Sequence, residues 1–262
     1  MRQSMQSAMF GAMNSEHRLD LIANNLANAN TTGYKKDRVA FHDVFQRFAH
    51  DYLNDSRTFL RDKNMWPEAH VMAKPRLSEE RIDFSQGSLV ETGDPLDFAL
   101  HGDGFFRVQT PDGVFYTRTG NFELTSDGQV ITPQGYQLLT AGGGPLTIPP
   151  GYGTPIVNTG GQVSVNGAVI GQIGVTGVSD LTAMEKIGNN LYRIREGSDA
   201  QEVLAPDTQV QQGFTEKANV EIVTEMVSMI EVQRAFEMYQ KMMQSTDGME
   251  SQIITKVGRV SG

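Results

Sequence analysis

Side chains able to do chemistry are few in this chain, and their spacing does not suit it. Five histidines, His17, His42, His50, His70 and His101, are scattered, and none has the paired helical spacing that presents two imidazoles to one zinc ion. There are no cysteines, which excludes disulfides, thiolate metal sites and cysteine nucleophiles. His101-Gly102-Asp103-Gly104-Phe105-Phe106 has glycines spaced like a phosphate loop, but it precedes a strand pattern and lacks the Lys-Ser/Thr ending. Gly142-Gly143-Gly144 runs into Pro145 and fails for the same reason. Asp94, Asp97 and Asp103 do not have the spacing of a calcium loop, and turn or cap roles account for them. Carboxylate pairs for glycoside hydrolysis stay open, because their separation is invisible in a sequence. No catalytic, cofactor-binding or metal-ligating residue is assigned, and no cofactor is expected.

Amides are the more telling polar groups. From Leu21 to Tyr34 no residue is charged, and Asn24, Asn25, Asn28 and Asn30 occupy the places where a solvated helix carries Lys and Glu. Asparagine is a poor helix former. Uncharged amides can be buried when their donors and acceptors are paired, so this stretch is expected to be covered by neighbours, with other subunits as candidates to supply them. The element carrying it reads as a helix from Met5 to Ala29, roughly 40 Å long. Met5, Ala8, Ala12, Leu19, Ile22, Leu26 and Ala29 repeat in steps of three and four, with Ser15 the polar member, which is the period of a coiled-coil seam. Gly33 can take the left-handed conformation that ends a helix.

A second helix is expected near the end of the chain, with Asn219 as its N-cap and Glu221 and Glu225 favouring its dipole. Its apolar residues run Ile222, Met226, Met229 beside Val223, Val227, Ile230, then Val232, Ala235, Tyr239, Met242, Met249, Ile253, Val257. Gly248 predicts a bend or fray near Asp247; if continuous to Val257 the helix spans roughly 57 Å. Between the helices lie 22 of the 27 glycines and 8 of the 10 prolines, all from Gly87 to Gly213, but only one of the 13 methionines, Met184. Short alternating segments separated by Asp127-Gly128, Asn166-Gly167 and similar turns predict hairpins and an all-β sandwich or barrel-like region. Phe48 to Arg81, with Trp66-Pro67 and Lys74-Pro75, reads as an irregular connector. The class is α+β: N- and C-terminal α-helices pairing in a coiled-coil-like layer and flanking a central all-β domain. The boundaries are 1–48 for the first helical part, 49–80 for the connector, 81–210 for the β domain and 211–262 for the second helical part.

The 262 residues carry 22 basic and 31 acidic side chains, a net charge of −9. Nucleic-acid binding needs a basic stripe that displaces counterions, and an anionic membrane needs a polybasic segment; neither is present. No apolar run approaches the roughly 18–20 residues that span a bilayer. Met1 to Phe10 interleaves polar residues with apolar ones, unlike a secretory signal. No nucleic-acid partner and no insertion into a lipid bilayer are expected. The seams remain, and an isolated subunit leaves much of them uncovered.

Ala23-Asn24-Asn25-Leu26-Ala27-Asn28-Ala29-Asn30-Thr31-Thr32-Gly33-Tyr34-Lys35 resembles the N-terminal motif of the bacterial flagellar basal-body rod and hook proteins. Gly93-Asp94-Pro95-Leu96-Asp97 through Gly104-Phe105-Phe106 to Tyr116-Thr117-Arg118-Thr119-Gly120-Asn121-Phe122 agrees with the same family. So does Asn219-Val220 through Gln233-Arg234-Ala235-Phe236-Glu237 to Asp247. The resemblance implies a non-enzymatic structural subunit of the rod that crosses the periplasm, with the end helices forming an inner layer and the β domain outside. It implies other rod subunits and copies of itself as partners, and export by the flagellar type III apparatus without a cleaved signal. Gly143-Gly144-Pro145-Leu146-Thr147-Ile148 and the ending Lys256-Val257-Gly258-Arg259-Val260 most resemble the proximal-rod type. The distal-rod type is the runner-up, and its Gln-Pro-Gly-Ala-like segment is not evident between Phe45 and Leu60. The expected assembly interface comprises Leu19, Ile22, Asn24, Asn25, Leu26 and Asn28 in the first helix and Met226, Ile230, Ala235 and Tyr239 in the last. From other classes, a wall carbohydrate-binding or carbohydrate-active β protein with helical arms, or a fibre subunit, is the alternative.

Overall fold

The computed structural model describes residues 2–47, 71–149 and 153–260. Helix α1 spans Arg2–Ala27 and helix α2 Ile222–Val260, with the strands between them. The chain divides into two compact units, one of Met1–Asp20, Val39–Glu80 and Ser228–Gly262, the other of Leu21–Arg38 and Arg81–Val227.

Helix α1 has no basic residue in its last turn to offset its dipole. Its C-terminus is closed by tightening turns, in which Asn28 donates its amide to the Asn24 carbonyl and Ala29 donates to that of Leu26. Gly33 is left-handed, with φ of +69°, but it lies after a turn over 28–30 and so does not itself close the helix. The start of α2 differs from the expectation. Asn219 is not the N-cap; its side chain is committed elsewhere, and Glu221 takes the position. The Glu221 carbonyl accepts the Glu225 N–H at 3.0 Å and its carboxylate accepts the Thr224 hydroxyl at 2.9 Å, which places an anion at the positive end of the helix dipole. Helix α2 also runs unbroken through Gly248, without the expected fray. A single glycine costs only about 1 kcal/mol, which the turns on either side can absorb.

In the first unit α1 buries small residues. Ala8, Gly11, Ala12 and Ser15 are buried and lie at spacings of three and four, one face of a helix. A Cβ on Gly11 would sit 2.5 Å from two ring carbons of Tyr239, so glycine makes room for that ring against α1. The two helices pack together at this point. The hairpin of this region corrects the sequence reading. Residues 71–82, expected as connector, form a strand paired with Asp37–Arg47. Pro75 had argued against a strand, but a two-stranded ribbon consists only of edges, where proline is tolerated. The remainder of the expected connector, 48–70, with His50, His70 and Trp66-Pro67, lies outside the described residues.

The second unit carries the β structure. Its largest sheet is antiparallel, in the order 184–188, 191–194, 113–117, 105–110, 137–138, 130–131, 123–124, and strand 175–178 bridges 105–110 to 202–204. Successive residues point to opposite faces of a strand. Phe106, Phe115 and Leu191 accordingly enter one core with Phe98, Val108 and Leu138, while Phe105, Tyr116 and Tyr192 enter a second with Phe84 and Met184. Each of these strands therefore carries an adjacent pair of buried apolar residues, Phe105-Phe106, Phe115-Tyr116 and Leu191-Tyr192, one for each core. Smaller pairings join 98–101 to 209–212 and 89–91 to 214–216, which brings the chain entering α2 back beside the start of the β region.

Candidate functional site

The uncharged stretch at the end of α1 closes on itself and on the segment that follows. Asn25 is buried. Its side-chain amide donates to the Asp37 carbonyl at 3.0 Å and its Oδ1 accepts the Asp37 N–H at 3.0 Å, so both backbone groups of Asp37 are paired at the point where the chain leaves for the hairpin. The Tyr34 hydroxyl lies 3.0 Å from Asn25 Oδ1 and 3.1 Å from Asn24 Oδ1. Burial, and next the charge on Asp37, hold that phenol above its ordinary pKa, so it remains a donor. Asn28 donates its side-chain amide to the Asn24 carbonyl and Oδ1. Asn25 is thus paired and covered by its own chain, where the sequence reading had sought neighbours partly in other copies, whereas Asn24 is exposed and Asn28 half-buried.

Glycine makes the next step possible. A Cβ on Gly33 would lie 2.4 Å from the Thr119 amide nitrogen and 2.5 Å from the Arg118 carbonyl carbon, and the backbone there is left-handed, which glycine adopts without cost. The Gly33 N–H donates to the Glu216 carbonyl at 2.7 Å. Beside it, three charges are removed from water: Lys35 is 0% exposed, Glu216 1% and Arg118 2%. The Lys35 ammonium donates to Glu216 Oε1 at 2.6 Å and to the Ser85 carbonyl at 2.7 Å. Arg118 donates to Glu216 Oε2 at 3.4 Å and to the Gly102 carbonyl at 2.8 Å, and the Gly87 N–H also donates to Glu216. Burial pushes the Lys35 and Arg118 pKa values below their ordinary range, against the opposing pull of Glu216.

Further polar groups fasten the same segment. Asn219 accepts the Lys36 N–H at 2.8 Å through Oδ1 and donates to the carbonyls of Asp83 and Ser85. The Lys186 ammonium donates to the Lys35 carbonyl and to Asp37, both at 2.6 Å, and stands 4.2 Å from the centre of the Tyr34 ring. In the glycine-rich run at 101–104, the Gly102 carbonyl accepts from Arg118 and the Gly102 N–H donates to Gln86 Oε1. Asp94 caps a turn through the Leu96 N–H, and Asp97 accepts from the Thr92 hydroxyl. These are turn and clamp geometries. Among the described residues no three His, Asp or Glu side chains converge as a metal ion requires, and no helix is long and apolar enough to cross a membrane.

Apolar surface lies elsewhere. At the start of α2, Val223 is 75% exposed and Ile222, Met226, Val227 and Ile230 between 43% and 51%. At about 100° per residue these five cover roughly 140° of the helix, the width of a stripe that normally faces a core. On α1, Met5, Met9, Phe10 and Met13 are likewise exposed and sweep a similar arc. Of the residues expected at an interface, Ile22 and Asn25 are buried, Leu19, Leu26, Asn28, Ala235 and Tyr239 half-buried, and Asn24, Met226 and Ile230 exposed. The sequence reading did not single out Lys35, Arg118, Glu216 or Lys186, each of which looks like an ordinary surface charge. The available signal was that Arg118 lies two residues beyond the apolar run Val114 to Tyr116.

Three family models match the chain: Flagella basal body rod protein over residues 5–35, Flagellar hook protein FlgE/F/G D1 domain over 99–165, and Flagellar basal body rod FlgEFG protein C-terminal over 211–256. The junction draws on all three, since Lys35 lies in the first, Arg118 in the second and Glu216 in the third. The chain is 34% identical to the flagellar basal-body rod protein FlgF of Caulobacter vibrioides over 95% of both chains. It is 32% identical to the FlgF of Mesorhizobium japonicum over the full length of both. It is also 32% identical to the FlgG of Bacillus subtilis over 97% of this chain and 98% of that one. This is a family of structural rod proteins and not of enzymes, and the chain belongs to the flagellar basal-body rod protein family.

Proposed function

We propose that the protein is a proximal-rod subunit of the FlgF type, assembling helically through its end helices with copies of itself and with other rod components. The observation that carries this reading is the exposed apolar stripe of Ile222, Val223, Met226, Val227 and Ile230. A neighbouring subunit that covers it removes apolar area worth roughly 25 cal/mol per Å². Leu19 and Leu26 of α1, both half-buried, would form the facing seam with Met226, Ile230, Ala235 and Tyr239 of α2, in the coiled-coil-like manner their spacing favours, over Ile22, which the subunit itself already covers. Asn24, Asn25 and Asn28 would serve the interface by holding the end of α1 in one orientation. Such head-to-tail contacts do not close, and they build a filament. The β region would stand outside as the spacer. In this reading the subunit travels through the flagellar type III apparatus and takes its place in the periplasm.

The test is a combined Met226→Asp, Ile230→Asp variant. Both positions are exposed, so the purified monomer should keep its urea midpoint while the protein fails to enter basal bodies and the cells lose motility. Normal incorporation would refute the interface. The proximal assignment is supported by the segment Gly143 to Ile148 and by the lack of a Gln-Pro-Gly-Ala-like segment after the first motif. It is tested by expression in strains lacking either rod protein: rescue of a proximal-rod deletion supports it, and rescue of a distal-rod deletion alone overturns it.

A further inference from the structure

The segment leaving α1 and the segment entering α2 lie against each other within one compact unit. Gly33 donates its N–H to the Glu216 carbonyl at 2.7 Å, Lys36 donates to Asn219 Oδ1 at 2.8 Å, and the Asn219 N–H points to the Tyr34 carbonyl at 3.4 Å. Between these contacts a single carboxylate serves two cations. Lys35 and Arg118 are both buried, and both reach Glu216. With the anion in place the group carries one net positive charge; without it, two like charges would be confined together away from water, where neither is solvated.

From this geometry we infer that Glu216 is a latch that makes the docking of residues 33–37 and of residues 214–219 a single cooperative event, so that the two ends of the chain engage or release the β region together. Neither segment can leave alone. Withdrawal of 33–37 strips Glu216 of the Lys35 ammonium and the Gly33 N–H, and Asn219 of the Lys36 N–H. Withdrawal of 214–219 strips Lys35 and Arg118 of their shared carboxylate and leaves Arg118 with the Gly102 carbonyl and the face of the Phe105 ring. The arrangement is independent of what the helices bind, so failure of the assembly reading would leave it standing. It specifies a conformational property: a rod-type subunit whose two helices are registered to one another at their roots before any neighbour arrives.

Residue-resolved hydrogen exchange on the full-length protein tests it through two amides that do not bond to each other's segment. The Asp37 N–H bonds to Asn25 and the Lys217 N–H to the Ser88 carbonyl. Glu216→Gln should speed exchange at both by the same factor, on the order of a hundredfold. Should that variant fail to fold, Lys35→Met keeps the Glu216–Arg118 pair, and it should speed both amides equally by about tenfold. Acceleration at Asp37 with Lys217 unchanged, or the reverse, in whichever variant folds would overturn the inference.

Discussion

The end of α1 and the beginning of α2 invert the usual arrangement of a soluble protein. Around residues 24–37 selected polar and charged side chains are inside: Asn25, Lys35 and their partners Arg118 and Glu216 are buried and bonded. Around residues 222–230 the apolar side chains are outside. Helix α1 repeats the contrast along its own length, burying Ala8, Gly11, Ala12 and Ser15 while exposing Met5, Met9, Phe10 and Met13. Buried polar groups cost free energy unless paired, and exposed apolar stripes of this width mark contact surfaces. The first region therefore makes its interactions inside the subunit, while the second leaves its apolar side chains uncovered there, which is the surface the proposed assembly would use.

Substitutions can break this division of labour, beginning with the largest effect. Glu216→Gln leaves two buried cations without their carboxylate, and the monomer should lose about 3–5 kcal/mol, read as a lowered urea midpoint. Gly33→Ala forces a left-handed alanine against the Thr119 backbone, at a cost of about 2–3 kcal/mol, measurable by thermal unfolding. Asn25→Ala leaves the Asp37 N–H and carbonyl unpaired, for about 2 kcal/mol, and in chemical denaturation should lie between Gly33→Ala and wild type. Val223→Asp in the exposed stripe should change monomer stability by no more than about 0.5 kcal/mol, with an acidic group welcome in the first turn of a helix. A large loss of monomer stability at Val223, or none at Glu216, would erase the distinction between the two regions.

The sequence made the elements legible where a period was strong. The three-and-four repeat located both helices, and the Asp-Gly and Asn-Gly turns located the hairpins around 105–140 and 163–173. The charge-free run from Leu21 to Tyr34 led to an expectation of covered amides that holds for Asn25 alone, since Asn24 and Asn30 are exposed and Asn28 half-buried; composition cannot tell whose backbone does the burying, and Asp37 of the same chain proved to be the partner of Asn25. Strand 71–82 was masked by Pro75, since a proline that would disqualify a central strand is harmless in a two-stranded ribbon. The Lys35–Glu216 pair was illegible because its members are 181 residues apart and no local pattern announces a buried charge. Asn219 shows the same limit at short range. It has the right residue type for a cap, but the Lys36 amide and the Asp83 and Ser85 carbonyls claim it first.

The central claim, that the exposed start of α2 is covered by neighbours in the assembled rod, has a direct test because the chain contains no cysteine. A single Met226→Cys variant, reacted with a maleimide, should label rapidly as purified monomer, slowly in intact basal bodies, and rapidly again once those are dissociated. Equal labelling of the intact and dissociated forms would contradict the account.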